Sequence, residues 1–219
     1  MAVRRMLRGV IFDMDGTLTV PCLDFFEMRR RCGVTQGDLL VEIEKMSPAK
    51  KQAAIDVITE METEAKEKME IMPGAKDLCD FLDQRNIWRG LVTRNVSSSV
   101  DHLHRKMGIT PFWPALARDF LPFKPDPAPL LHICEAWKVQ PSEVMIVGDS
   151  ARDDIVMGRV AGSYAVLIDT EQKYGPIESL PELQRPHYKV TSLAEVGHIL
   201  QTKFELVPKE GVAERESAL

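Results

Sequence analysis

Val10, Ile11 and Phe12 run directly into Asp13 and Asp15, with Gly16 and Thr17 close behind, in the stretch VIFDMDGTL at residues 10–18. Apolar runs of this length suit a buried strand, and buried carboxylates are rare unless something pairs with them. Two further apolar runs end in polar groups. RGLVT at 89–93 ends in Thr93, followed by Arg94 and Asn95, and VMIVGD at 144–149 ends in Asp149, with Ser150, Asp153 and Asp154 beyond. The loop sequence FKPDP adds Lys124. Carboxylates gathered from separate segments repel one another unless a cation joins them, and a hard divalent ion with oxygen ligands meets that need. Taken singly, each residue has a plainer reading: Asp13 as a cap or turn residue, Thr93 as a hydroxyl bonded to backbone, Lys124 as a solvated lysine, Asp149 as a turn residue. Their joint placement at successive strand ends is what points to chemistry.

The elements that must carry these residues follow from the hydropathy pattern. RGVIFD at 8–13, RGLVT at 89–93, VMIVGD at 144–149 and YAVLID at 164–169 read as parallel strands buried on both faces. Between them, Ala75, Leu78, Cys79 and Leu82 recur at helical spacing after Pro73, placed to start a helix. Leu130, Ile133, Cys134 and Trp137 form a second such stripe, and SLAE at 192–195 has the form of a capping box opening a last helix through Leu200. Alternating strands and helices predict an α/β fold, a doubly wound Rossmann-like parallel sheet, with ligands at the carboxyl ends of its strands. Residues 20–72 hold no strand pattern and read as a small all-helical insert after the first strand; Ala54, Ile58, Met61 and Ala65 mark the apolar face of its longest helix. The predicted division is a core of residues 1–19 and 73–204, a helical insert at 20–72, and a flexible tail at 205–219.

Composition bounds the functions available. Hydrophobic residues are 44% and charged residues 28% of 219, enough apolar material for a globular core, and the net charge of −5 argues against general nucleic-acid binding. No apolar run approaches the roughly 20 residues needed to cross a bilayer, and the basic MAVRRML leads straight into the first strand, leaving no room for a signal peptide. Cys22, Cys32, Cys79 and Cys134 lack CxxC pairing and predict reduced thiols in a cytoplasmic protein. His102 and His104, two apart on a helix, point to different faces and read as surface residues rather than a metal pair.

DMDGT, VTRN, FKPDP and GDSARDDIVMGRVAG, in this order, resemble the four motifs of the haloacid dehalogenase-like hydrolase superfamily, most closely its phosphatase branch, which includes phosphoglycolate phosphatase. The likeness runs from about residue 8 to 170, with the helical insert where that branch carries its cap. It implies a Mg²⁺-dependent phosphatase acting on a small phosphorylated metabolite, with no nucleic-acid or membrane partner. The resemblance gives Asp13 the role of nucleophile forming an aspartyl-phosphate. Asp15, two residues on, is placed to protonate the leaving alcohol and then activate water. Thr93 can bond the transferring phosphoryl oxygens, and Lys124 supplies positive charge that also steadies Asp13. Gly16, Arg94 and Asn95 are candidates for contacting the substrate, and Thr17 for steadying the turn. Asp13 and Asp149 are the expected side-chain metal ligands, with the backbone carbonyl of Asp15 implied by the family. The resemblance implies Asp154 as the further member of the metal shell, since it falls at the family's usual distance ahead of Ala161 and Gly162, while Asp153, four residues after Asp149, is the other choice.

Other readings of the same motifs stay open. A sugar phosphomutase shares the nucleophile, and a non-catalytic binding module would keep the fold alone, although Asp13, Asp15 and Lys124 are all present. Asp15 argues against dehalogenation, since a departing halide needs no acid. A phosphonate hydrolase would need a Schiff-base lysine, and Lys45, Lys50 and Lys51 have solvated surroundings. Phe25, Phe26, Arg29, Arg30 and Arg31 of the insert are candidates for facing the substrate.

Overall fold

The computed structural model describes residues 4–209. Its central feature is a six-stranded sheet built from β2 (Gly9–Phe12), β3 (Trp88–Val92), β4 (Ala115–Leu116), β5 (Val144–Gly148), β6 (Tyr164–Ile168) and β7 (Tyr188–Val190). A short β1 (Arg5–Leu7) pairs in parallel with β8 (Phe204–Leu206) as a separate two-stranded ladder. The large sheet has the order β4-β3-β2-β5-β6-β7, and every neighbouring pair is parallel. Strand order reverses between β2 and β5: the chain steps outward through β3 and β4, then crosses back to add β5 on the far side of β2. That is the switch point where an open α/β sheet leaves a crevice at its carboxyl edge.

The long apolar runs form the inner strands because both faces are covered. Val10, Ile11, Phe12, Met145, Ile146, Val147, Val166 and Leu167 have no exposure to solvent. Among the described residues, the α-helices of this α/β unit are α4 (Ala75–Gln84), α5 (Ser97–Met107), α6 (Ala128–Trp137), α7 (Val156–Ala161) and α8 (Leu193–Lys203). The predicted stripes of α4 and α6 are buried, and Ile133, Cys134 and Trp137 join Ile11, Val144 and Ile146 in one cluster. Three α-helices make up Val20–Glu70, which forms its own compact unit. They are α1 (Phe25–Cys32), α2 (Leu39–Glu44) and α3 (Pro48–Glu67). Asp24 caps α1 by accepting from the Glu27 N–H, Gly33 ends it in the left-handed conformation, and Asp38 caps α2. Ser47 precedes α3, whose first residue is Pro48. Met28, Cys32, Val34, Ile43, Ala54 and Ile58 supply the unit's interior.

Several expectations need correcting. Residues 205–209 are not a loose tail: Phe204–Leu206 pair with β1, the Val207 N–H donates to Leu7 O, and the Lys209 N–H donates to Asn86 O. The rest of the predicted tail, 210–219, lies outside the described residues. The edge strands β1, β4, β7 and β8 are two or three residues long, too short to register as periodic runs. Pro73 lies ahead of the cap of α4, which is Gly74. The capping box of α8 is only half formed, because Glu195 reaches back to the Thr191 N–H rather than that of Ser192. On α3 the buried position is Glu62 rather than Met61, which is only partly covered. His104 is no surface residue: half-buried, its Nε2 accepts from the Phe112 N–H, while His102 is also partly covered. None of the four cysteines is in a disulfide; Cys32, Cys79 and Cys134 are buried, and Cys22 is exposed with its Sγ 3.5 Å from the carbonyl of Ala65. Among the described residues no helix is long and apolar enough to cross a membrane.

Candidate active site

Because all six strands are parallel, the residues just beyond β2, β3, β5 and β6 share one edge of the sheet. They are Asp13, Thr93, Asp149 and Asp169. Asp13 continues the pairing of β2, its N–H donating to Val147 O at 2.9 Å, so its side chain leaves from a rigid position. The chain then turns tightly: the N–H groups of Thr17, Leu18 and Thr19 all donate to Met14 O, and the Gly16 N–H donates to Thr19 O. Gly16 adopts φ +82°, and a Cβ there would collide with the carboxylate of Asp149. Only glycine fits both the turn and that close approach.

Lys124 is the buried centre of the arrangement. Its ammonium bonds Oδ1 of Asp13, Oδ1 of Asp154 at 2.7 Å and the carbonyl of Val92 at 3.2 Å. Its side chain is 5% exposed, those of Asp13 and Asp154 7% and 0%. Burial works against the lysine's charge, but the two carboxylates outweigh it and hold the group protonated well above its usual range. Burial pushes the Asp13 carboxyl up; Lys124 opposes this, while Asp154, Asp149 and Asp15 add to it. Burial likewise raises Asp149, with Asp154 adding and Lys173 opposing. One lysine therefore does not neutralise this group of acids.

The remaining predicted residues fall around this centre. Thr17 Oγ1 donates to Oδ2 of Asp13 at 3.2 Å, which fixes the plane of the carboxylate. Asp15 accepts at Oδ2 from the side-chain amide of Asn95 at 3.1 Å, and burial raises its pKa. Thr93 is buried and its hydroxyl accepts from the Asn95 N–H at 3.0 Å, tying the second strand end to the first through Asn95. Asp154 accepts at Oδ2 from the Ser150 N–H, on a π-helical turn at 151–155 that aims it inward. Gly148 faces it with no Cβ, and one would collide with that carboxylate. Asp153, the alternative to Asp154, instead lies 3.7 Å from Arg94, whose guanidinium also covers the ring of Phe123. Carboxylate oxygens of Asp13, Asp149 and Asp154 lie within 4.8 Å of one another. Three hard oxygen donors at that spacing fit a divalent cation, and Gly16 and Gly148 leave the room that side chains would fill.

Within the helical unit the candidate residues make local contacts. Arg29 donates to Gly37 O, Arg30 pairs with Glu27 and Arg31 with Glu60, while Phe25 and Phe26 are exposed. Lys45 pairs with Glu42, Lys51 with Glu44, and Lys50 is exposed. Residues missed in the sequence lie beyond β6. Asp169 is buried and accepts from the N–H groups of Lys173 and Tyr174, and Lys173 Nζ reaches Asp149. The signal was present, since YAVLID ends in an acid just as VMIVGD does.

The chain is similar to known proteins. A match to the haloacid dehalogenase-like hydrolase family spans residues 7–162. A haloacid dehalogenase-like hydrolase domain-containing protein of Arabidopsis thaliana is 45% identical over 214 residues, 92% of this chain and 87% of that protein. A phosphoglycolate phosphatase of Nitrosospira multiformis is 47% identical over a 45-residue stretch, 20% of this chain and 19% of that one. The crystal structure of a predicted phosphoglycolate phosphatase from Haemophilus somnus superposes with a TM-score of 0.68 at 21% identity, covering 89% of this chain and 98% of that one, a likeness of fold. The family match over most of the chain and the likeness to the Arabidopsis protein along nearly its whole length show that the chain belongs to the haloacid dehalogenase-like hydrolases.

Proposed function

We propose that this hydrolase is a Mg²⁺-dependent phosphatase that cleaves a small phosphate monoester through an aspartyl-phosphate on Asp13. The observation that carries the reading is the buried group of Asp13, Asp149 and Asp154 with Lys124 bridged between two of them. Asp13, Asp149 and Asp154 would hold the ion, with the backbone carbonyl of Asp15 as the family implies. Bound there, the ion offsets the carboxylate charge and the negative charge of the phosphate. Asp13 attacks phosphorus, oriented by Thr17 and Lys124. Lys124 also supplies fixed positive charge where the phosphoryl oxygens gather, at no reorganisation cost because it is already packed. Asp15, positioned by Asn95, gives its proton to the leaving alkoxide and takes one back from water in the second step. Thr93, at the neighbouring strand end, would donate a hydrogen bond from its hydroxyl to a phosphoryl oxygen. Names among the relatives support phosphate esters as the substrate class, phosphoglycolate phosphatase being one.

The test is release of phosphate from an aryl phosphate with Mg²⁺ and with a chelator. Activity is expected only with the ion, and Asp13→Asn should lower it at least about a thousandfold, with the melting temperature retained. An Asp13→Asn rate equal to wild type would exclude Asp13 as nucleophile.

A further inference from the structure

We propose that Lys173 is a positioning residue that holds Asp149 in place of the divalent ion and is displaced when the ion binds, so that it sets the affinity of the site for metal. This rests on the reading of Asp149 as a ligand. Lys173 Nζ donates to Oδ2 of Asp149 at 3.2 Å, which gives the carboxylate that Lys124 does not bond a cation of its own.

The two lysines differ in how they are held. Lys124 is buried and bonded to three oxygens, so it stays when an ion arrives. Lys173 has a side chain 47% exposed and can swing into water with its charge fully hydrated. Its backbone, by contrast, is fixed. Asp169 accepts from the Lys173 N–H at 2.8 Å and the Tyr174 N–H at 3.2 Å. Lys189 Nζ ties Asp169 to the carbonyls of Tyr174 and Gly175. Tyr174 Oη accepts from the N–H of Ala151, two residues after Asp149. A mobile ammonium on a rigid base can therefore return to Asp149 each time the ion leaves. Before the ion binds, it keeps that carboxylate from facing Asp13 and Asp154 uncompensated; afterwards it must give way.

The test is calorimetric titration of Mg²⁺ into the full-length wild type, K173M, K173R and D149N. K173M is expected to bind Mg²⁺ about two- to fivefold more tightly, since the ion no longer competes with an exposed ammonium. K173R should stay near wild type, and the gap between K173M and wild type should narrow at high salt, which screens an exposed pair. A loss of loop structure would not produce tighter binding or that salt dependence. K173M affinity equal to or weaker than wild type overturns the role of Lys173 when D149N has lost binding. If D149N binds as wild type does, or wild type and K173M bind no ion, the assignment of the metal site falls and the role of Lys173 falls with it.

Discussion

The two compact units of this chain handle charge in opposite ways. In the helical unit, Arg30, Lys45 and Lys51 stand on the outside of helices and pair with near neighbours, and Glu62 is, among the described residues, the one acid there that the fold buries. Arg30 and Glu27 are 66% and 36% exposed, and Lys45 with Glu42 and Lys51 with Glu44 follow the same pattern. Apart from Glu62, the interior of that unit is filled by Met28, Ile43, Ile58 and similar side chains. In the α/β unit, Lys124, Asp13 and Asp154 are almost fully withdrawn from water, with Asp149 beside them. Removing several charges from water is costly, and natural folds keep such groups only where partners or ions compensate them. The contrast teaches that an ion pair by itself says little about function. Burial of an unbalanced set of charges says much more.

The sharpest way to test that contrast is to remove one charge from each unit. Lys124→Met leaves Asp13 and Asp154 buried without their cation, so unfolding in urea with chelator present should show a loss of about 3–5 kcal/mol. Hydrolysis should be abolished as well. A midpoint matching wild type would mean that Lys124 does not compensate the two buried carboxylates.

A smaller effect separates the units by pH. All five histidines lie in the α/β part of the sequence and none in residues 20–70. His187 Nδ1 accepts from the Ala165 N–H, and burial, with Arg159 and Arg5 nearby, lowers its pKa. The folded form therefore favours a neutral ring, whereas the unfolded chain takes a proton near the ordinary value of about 6.5. This contribution is complete above that pH and is lost as pH falls below it toward the folded value. The melting temperature of wild type should drop more between pH 7.5 and 5.5 than that of His187→Asn, whose Oδ1 can accept the same bond without titrating. Equal drops would remove the histidine from the account. The smallest effect belongs to the helical unit: Arg30→Ala should leave the melting temperature unchanged within error, because its pair is exposed and local. A clear loss there would undo the distinction.

Much of this was legible along the chain. The inner strands β2, β3, β5 and β6 were visible because burial on both faces demands unbroken apolar runs, and each run ends at the residue that the parallel sheet brings to the shared edge. The stripes of α4 and α6 were visible for a similar reason, their period matching one buried face. The short edge strands were not, since two or three residues carry no period, and β8 needed its partner β1 to exist. His104 could not be placed from spacing, because the N–H it serves comes from Phe112 beyond the end of its own helix.

At the site the division has a physical cause. Residue types and their order determined which groups could meet: acids after apolar runs, a lysine in a proline-bounded loop, and glycines where backbone or carboxylate must pass closely. Only the tertiary structure decided who faces whom. It put Asp154 rather than Asp153 on Lys124, bound Asn95 to Asp15, and brought Lys173 across 24 positions to Asp149. Those pairings depend on the angle at which each chain leaves its strand and on a π-helical turn at 151–155. Such geometry is set by packing among distant segments, which no local pattern encodes.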